Sequence, residues 1–142
     1  MKKKTLLVLV ILISVFIVGT VMSASARDRL NPGEVLMPGQ HLISQNRIYT
    51  FSVQKDGNLV LRKAESLKSK KKHILWNAGT SGNITKLFMQ NDGNLVLYDN
   101  ASPKWYTKTN GHPGAYFVLQ NDGNAVVYSK DNKPLWATNT AQ

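Results

Sequence analysis

Cysteine is absent from this 142-residue chain. That absence excludes a disulfide framework, thiolate catalysis and a Cys-ligated metal, so the fold must rest on packing and strand pairing alone. Acidic residues are scarce, 8 Asp and Glu against 18 Lys and Arg. Aspartates recur in like turn settings with no Glu beside them, which leaves no acid–base partner for catalysis. No acidic residue stands at the twelfth position of a cation loop either, which removes an EF-hand-type calcium site. His41, His73 and His112 fall in separate loops without metal-ligand spacing. No window of a dozen residues sustains a helical period, so a helical fold is excluded as well. A protein that is not an enzyme and uses no cofactor or metal is expected.

Long apolar runs are missing too, with one exception at the N-terminus. Lys2, Lys3 and Lys4 precede an almost unbroken apolar run from Thr5 to Val21, and Ala24-Ser25-Ala26 supplies the small-residue pattern of a signal-peptidase site. Residues 1–26 are therefore expected to be a signal peptide, residues 27–142 the mature domain, and the protein secreted. The rival is an uncleaved membrane anchor, because the run approaches the ~18 residues that span a bilayer. Without the three leader lysines the remainder carries 15 Lys and Arg against 8 Asp and Glu, a net +7. That balance favours association with anionic surfaces such as bacterial envelopes. It does not indicate nucleic acid, since the lysines concentrate in one stretch without interleaved aromatics.

What is present is a repeat. The stretch Gln-x-Asp-Gly-Asn-x-Val-x occurs as QKDGNLVLR from Gln54 to Arg62, QNDGNLVLY from Gln90 to Tyr98, and QNDGNAVVY from Gln120 to Tyr128. Spacings of 36 and 30 residues fall where self-similarity marks repeat architecture. A tryptophan follows each copy: Trp76, Trp105 and Trp136. Strands are expected at Tyr49–Val53, Leu87–Gln90, Leu95–Tyr98, Tyr116–Gln120 and Ala125–Tyr128, from their alternation and their β-branched and aromatic content. Pro-Gly pairs at 32–33 and 38–39 mark turns between short apolar pieces in residues 27–44. Seven positions separate Tyr98 from Trp105 and eight separate Tyr128 from Trp136, but fourteen separate Arg62 from Trp76. The first copy thus carries a lysine-rich insertion within residues 63–73. It reads as solvated loop, with contact to anionic polymers as the alternative.

In the second copy Asn91-Asp92-Gly93 fits a three-residue hairpin loop with glycine in the left-handed position. Gln90 and Asn94 then stand opposite each other. Strand alternation puts Met89, Leu95 and Leu97 on a core face, and Gln90, Asn94, Val96 and Tyr98 on an outer face with Asp92 at its edge. The third copy divides likewise: Leu119, Ala125 and Val127 inward; Gln120, Asn124, Val126 and Tyr128 outward beside Asp122. In the first, Val53, Leu59 and Leu61 face in, and Gln54, Asn58 and Val60 face out beside Asp56. Turn chemistry alone explains Asn-Asp-Gly-Asn. It does not require Gln before the loop, or Val and Tyr at two-residue steps after it. Two amides, a carboxylate, an aliphatic floor and a phenol suit a sugar, whose hydroxyls both donate and accept and whose C–H face is mildly apolar.

These residues resemble the bulb-type mannose-binding lectins first associated with monocot plants, also called the B-lectin domain. The family signature Gln-x-Asp-x-Asn-x-Val-x-Tyr is matched fully twice and nearly a third time. The likeness spans residues 27–142, including Gly33, Leu36, Gly39 and Leu42. It implies an all-β fold, the type II β-prism of three four-stranded antiparallel sheets with pseudo-threefold symmetry and the tryptophans packed centrally. It further implies that Asp92 with Asn94, and Asp122 with Asn124, bind the axial O2 of mannose. Gln90 and Gln120 would take O3, Tyr98 and Tyr128 O4, and Val96 and Val126 the C3–C4 edge. Gln54, Asp56, Asn58 and Val60 form an incomplete counterpart, because Arg62 replaces the tyrosine. The family's usual disulfide is missing. Mannose or mannose-containing glycans are the partners implied, with homodimers formed by exchange of a C-terminal strand. The exported, basic chain also resembles lectin-like bacteriocins, which act on competing bacteria after binding envelope glycans.

Overall fold

The computed structural model describes residues 27–142; the expected leader at 1–26 and its cleavage point lie outside the described residues. The described chain contains twelve β-strands. They are β1 (Arg29–Leu30), β2 (Val35–Leu36), β3 (His41–Ile43), β4 (Tyr49–Val53), β5 (Leu59–Ala64), β6 (Lys72–Asn77), β7 (Lys86–Met89), β8 (Leu95–Asp99), β9 (Ser102–Tyr106), β10 (Tyr116–Leu119), β11 (Ala125–Tyr128) and β12 (Pro134–Ala137). They form three four-stranded sheets, β3-β4-β5-β6, β2-β7-β8-β9 and β1-β10-β11-β12, with every pairing whose register is defined antiparallel. This is the β-prism that the family resemblance implied.

The N-terminal segment ties the three sheets together. Leu30, Leu36 and Leu42 recur every six residues, and each is buried on the first strand of a different sheet. The order is inverted: β1 joins the third repeat, β2 the second and β3 the first. Gly33 and Gly39 turn the chain from one sheet to the next at φ 85° and 86°. Their N–H groups donate to the Met89 and Val53 carbonyls, both at 2.8 Å.

The core is built from the inward set of each repeat. Val53, Leu59 and Leu61, Met89, Leu95 and Leu97, and Leu119, Ala125 and Val127 are all buried. Full burial of each larger aliphatic side chain contributes about 1.5–3 kcal/mol. Phe51 sits among them, edge-on to Phe117 at 5.0 Å and stacked on Trp76 at 5.9 Å. The tryptophans close a triangle of edge contacts, with centroids 5.7, 5.8 and 5.4 Å apart. They are packed against the core but only partly buried. Each comes from the last strand of its sheet, opposite Leu61, Leu97 or Val127.

Two local expectations are corrected. The lysine-rich insertion is not simply loop. Beyond a bulge at Leu61/Arg62 the β5–β6 ladder continues through Arg62↔Ile74, Lys63↔His73 and Ala64↔Lys72. At the position of Ile74 the other repeats carry Pro103 and Pro134, opposite Tyr98 and Tyr128. In the second repeat the ladder runs past the proline to Asp99↔Ser102, so the longer β5–β6 ladder reflects the residues that the insertion adds to both strands. The histidines are corrected with it: His41 opens β3 and His73 lies in β6, while only His112 is in a loop.

Candidate functional site

The outer face of the second repeat begins with its loop. The Gln90 N–H donates to the Asn94 carbonyl at 2.9 Å, and the Gly93 N–H to the Gln90 carbonyl at 3.1 Å. Gly93 has φ 93°, and a Cβ there would lie 2.3 Å from the His112 carbonyl oxygen. Glycine is therefore demanded twice, by backbone conformation and by the chain crossing over the loop. That crossing is fixed by the His112 N–H donating to the Asp92 carbonyl at 3.1 Å. Gly82 and Gln142 do the same for Asp56 and Asp122, at 3.1 and 2.7 Å.

Within this frame the predicted polar residues meet. Asp92 Oδ1 accepts the Asn94 N–H at 2.9 Å, and both its oxygens lie 3.2 Å from Gln90 Nε2. The Tyr98 hydroxyl donates to Gln90 Oε1. The Asn94 side-chain oxygen is already engaged, accepting from Thr107 Oγ1 and from the Thr109 N–H, both at 3.3 Å. Its Nδ2 makes no hydrogen bond among the described residues and is left to donate outward. A free amide donor beside a carboxylate acceptor is what one sugar hydroxyl requires, since it accepts one hydrogen bond and gives another.

The third repeat builds the same frame. Asp122 Oδ1 accepts the Asn124 N–H at 2.9 Å. Asn124 Oδ1 accepts from Thr138 Oγ1 at 3.2 Å and the Thr140 N–H at 3.3 Å. Here Gln120 Nε2 donates to the Tyr128 hydroxyl at 2.9 Å, the opposite sense to Gln90 and Tyr98. Tyr128 stacks on Tyr116 at 5.7 Å, whereas Tyr98 has the Lys86 ammonium 5.7 Å from its ring. The valines do not share this exposure. Val60, Val96 and Val126 are 1%, 3% and 2% exposed, so none is an open apolar contact on the outer face.

No family model and no curated protein matches the chain. Solved structures do. A lectin from Marasmius oreades is 36% identical, with 80% of this chain and 92% of that one covered and a TM-score of 0.71. A monomeric monocot mannose-binding lectin from Gastrodia elata is 36% identical over 81% of this chain and 99% of its own, at 0.66. The mannose-specific agglutinin of snowdrop bulbs (Galanthus nivalis), solved with methyl-α-D-mannoside, is 34% identical over 81% and 98%, at 0.60. The chain belongs to the bulb-type mannose-binding lectin family.

The lectin's three frames are not equal. Thr-x-Thr after the tryptophan, present as Thr107/Thr109 and Thr138/Thr140, is the element that single-residue reading of the outer face missed. Thr107 and Thr138 also take the buried N–H groups of Leu95 and Ala125 at 3.2 and 3.0 Å. The recurrence of Thr after each Trp was the available signal. In the first repeat Ala78 replaces the first threonine, and Thr80 alone supports Asn58, its N–H 3.2 Å from Asn58 Oδ1. Asn58 Nδ2 turns to Asn77 Oδ1 at 3.5 Å. Gln54, oriented to satisfy its neighbours, donates to both Asp56 oxygens at 3.2 and 3.3 Å and accepts from the Arg62 guanidinium at 2.9 and 2.6 Å. Arg62 therefore takes the structural part that Tyr98 plays in its own repeat. A surface cavity of about 340 Å³ lies elsewhere, bounded by Arg27, Leu36, Gly39, Gln40 and His41, and brings none of the repeat residues together.

Proposed function

We propose that this lectin binds D-mannose or mannose-containing glycans at the second and third repeats, without catalysing a reaction on them. The observation that carries the reading is the twice-built pairing of a carboxylate with an asparagine amide. In both, the amide oxygen is tied down by threonine and the backbone, so that its nitrogen faces outward. Such a pair recognises one hydroxyl in a fixed position, and a sugar that placed that hydroxyl elsewhere would leave the pair unmatched. The snowdrop relative, crystallised with methyl-α-D-mannoside, supports mannose as that sugar.

Affinity at each site is modest. The polar groups exchange water hydrogen bonds almost one for one, which puts binding near millimolar, about 4 kcal/mol. Two sites on different sheets gain avidity on a surface dense in glycans. The test is retention on mannose-agarose. Wild type is expected to be retained and Asn94→Ala/Asn124→Ala to flow through; wild type that flows through defeats the reading.

Secretion through the leader at 1–26 belongs to the same proposal, and so does a lectin-like bacteriocin role at the envelopes of other bacteria. The net positive charge and the exposed lysines of the β5–β6 hairpin favour the latter. Growth inhibition on lawns of related bacteria checks it, and inactivity across a broad panel counts against it.

A further inference from the structure

The first repeat departs from the other two at several positions, and the departures have one direction. Arg62 is half-buried where the others have tyrosine, and two of its N–H groups reach Gln54 Oε1. A guanidinium carries five donors, so three remain for another partner. The ion pairs among the described residues involve Arg27, Arg29, Lys71, His73 and Lys104, and none involves Arg62. Asp56, the carboxylate of the same frame, is held by the Gln54 amide and the Asn58 N–H rather than by the guanidinium.

The neutral-sugar donor is meanwhile weakened. Asn58 Nδ2 points to Asn77, and Ala78 has no hydroxyl to hold the amide as Thr107 and Thr138 do. The face also extends. Residues directly opposite in an antiparallel pair share a face. The register Arg62↔Ile74 and Ala64↔Lys72 therefore puts exposed Lys72 one step beyond Arg62 on the same side. Lys68, Lys70 and Lys71 follow, exposed, around the hairpin end. Of these Lys71 is drawn to Glu65 at 3.6 Å, leaving Lys68, Lys70 and Lys72 outside the ion pairs of the described residues.

We propose that the first repeat is a third sugar site with a different ligand class, a hexose bearing a carboxylate or phosphate. The Gln54–Asp56–Asn58 frame holds the ring, and the planar fork of Arg62 takes the anionic group in paired hydrogen bonds, a geometry that suits both anions. Lys72 and the hairpin end lie where a further anionic unit of the same glycan would run. The proposal rests on the lectin reading of the repeat frame, but its ligand differs from that of the other two copies.

Backbone amide NMR of residues 27–142 separates the sites, because each repeat reports on its own ligand. Mannose 6-phosphate and D-mannuronate are titrated separately, with methyl α-D-mannoside and inorganic phosphate as controls. The expected result is that one or both anionic sugars shift Gln54, Asn58 and Arg62, and bind there about tenfold or more tighter than methyl α-D-mannoside, as for a gained charge-assisted contact. Which of the two does so identifies the anion. Arg62→Gln and Arg62→Tyr, each without the guanidinium, should both remove that advantage in a chain whose other amides keep their positions. The proposal is overturned if neither anionic sugar outbinds methyl α-D-mannoside at the first repeat. It is equally overturned if inorganic phosphate binds there as tightly as mannose 6-phosphate with D-mannuronate inert, or if Arg62→Gln changes nothing. Failure of methyl α-D-mannoside to shift Asn94 and Asn124 would be a separate result, against the mannose reading of the second and third repeats.

Discussion

Replacing Thr107 with valine removes one hydroxyl and almost no volume, which makes it a clean probe of what holds the second site. Thr107 is 7% exposed and Leu95 is fully buried. The hydroxyl oxygen accepts the Leu95 N–H at 3.2 Å, lies 2.7 Å from Thr109 Oγ1 and reaches Asn94 Oδ1 at 3.3 Å. Valine leaves no cavity, so the cost is that of an N–H buried without a partner, about 1–3 kcal/mol. Asn94 keeps its bond from the Thr109 N–H and loses its bond from Thr107. Loosening the amide by about 1 kcal/mol should weaken sugar binding at that repeat roughly fivefold. The third repeat, with Thr138 intact, is the internal reference. Urea unfolding measures the first effect, and titration with methyl α-D-mannoside read at Asn94 and Asn124 measures the second. A variant within about 0.5 kcal/mol of wild type, with Asn94 titrating as before, would falsify the idea that the threonine sets the asparagine, since changes this small are ordinary for neutral surface sites.

Gly93→Ala combines a residue at φ 93° with a Cβ 2.3 Å from the His112 carbonyl oxygen. Backbone strain and overpacking together should cost about 3 kcal/mol, and thermal unfolding should show a fall of more than ~10 °C; an unchanged midpoint would contradict the crossing geometry. Trp105→Ala opens the tryptophan triangle and should lose about 3–5 kcal/mol in urea unfolding; a loss under ~1 kcal/mol would mean that the triangle is not part of the core. Glu34 supplies a pH test. The Asn31 N–H, 2.7 Å from Glu34 Oε2, lowers its carboxyl pKa below the usual carboxylate range, and the Arg27 guanidinium at 3.2 Å adds to this against the opposing effect of partial burial. Because the folded pKa is the lower one, the stabilisation is present above the unfolded pKa, ~4.3 for Glu, and is lost as pH falls through the folded value. Glu34→Gln should flatten that part of the acid limb of stability against pH; an identical acid limb would remove Glu34 from it.

The parts of this lectin that were legible in the sequence are the parts fixed by local rules. Gln90-Asn-Asp-Gly-Asn94 declares its loop length, its glycine and the faces on either side of it, and the buried Met89, Leu95 and Leu97 follow from alternation alone. The strands carrying the tryptophans were harder, since Pro103-Lys-Trp105 and Pro134-Leu-Trp136 have neither alternation nor β-branched residues, and pair only because β8 and β11 offer them an edge. The sheet each N-terminal strand would join was also not local. Leu30, Leu36 and Leu42 show a period, but the inverted order of β1, β2 and β3 is a property of closing the prism. The charge of the insertion in the first repeat points to loop, and the pairing that carries β5 and β6 into it is seen only in the register. At the site, residue types named the polar cluster but not its support. That Thr107 and Thr138 hold the asparagines depends on chain crossing over the loop from thirteen and fourteen residues downstream, respectively.

The most direct test is a crystal of residues 27–142 soaked with methyl α-D-mannoside. Sugar is predicted in two places, against Gln90, Asp92, Asn94 and Tyr98 and against Gln120, Asp122, Asn124 and Tyr128, with one hydroxyl between each aspartate and asparagine. Sugar absent from both, or seated instead in the cavity by Arg27, Gln40 and His41, would contradict the account.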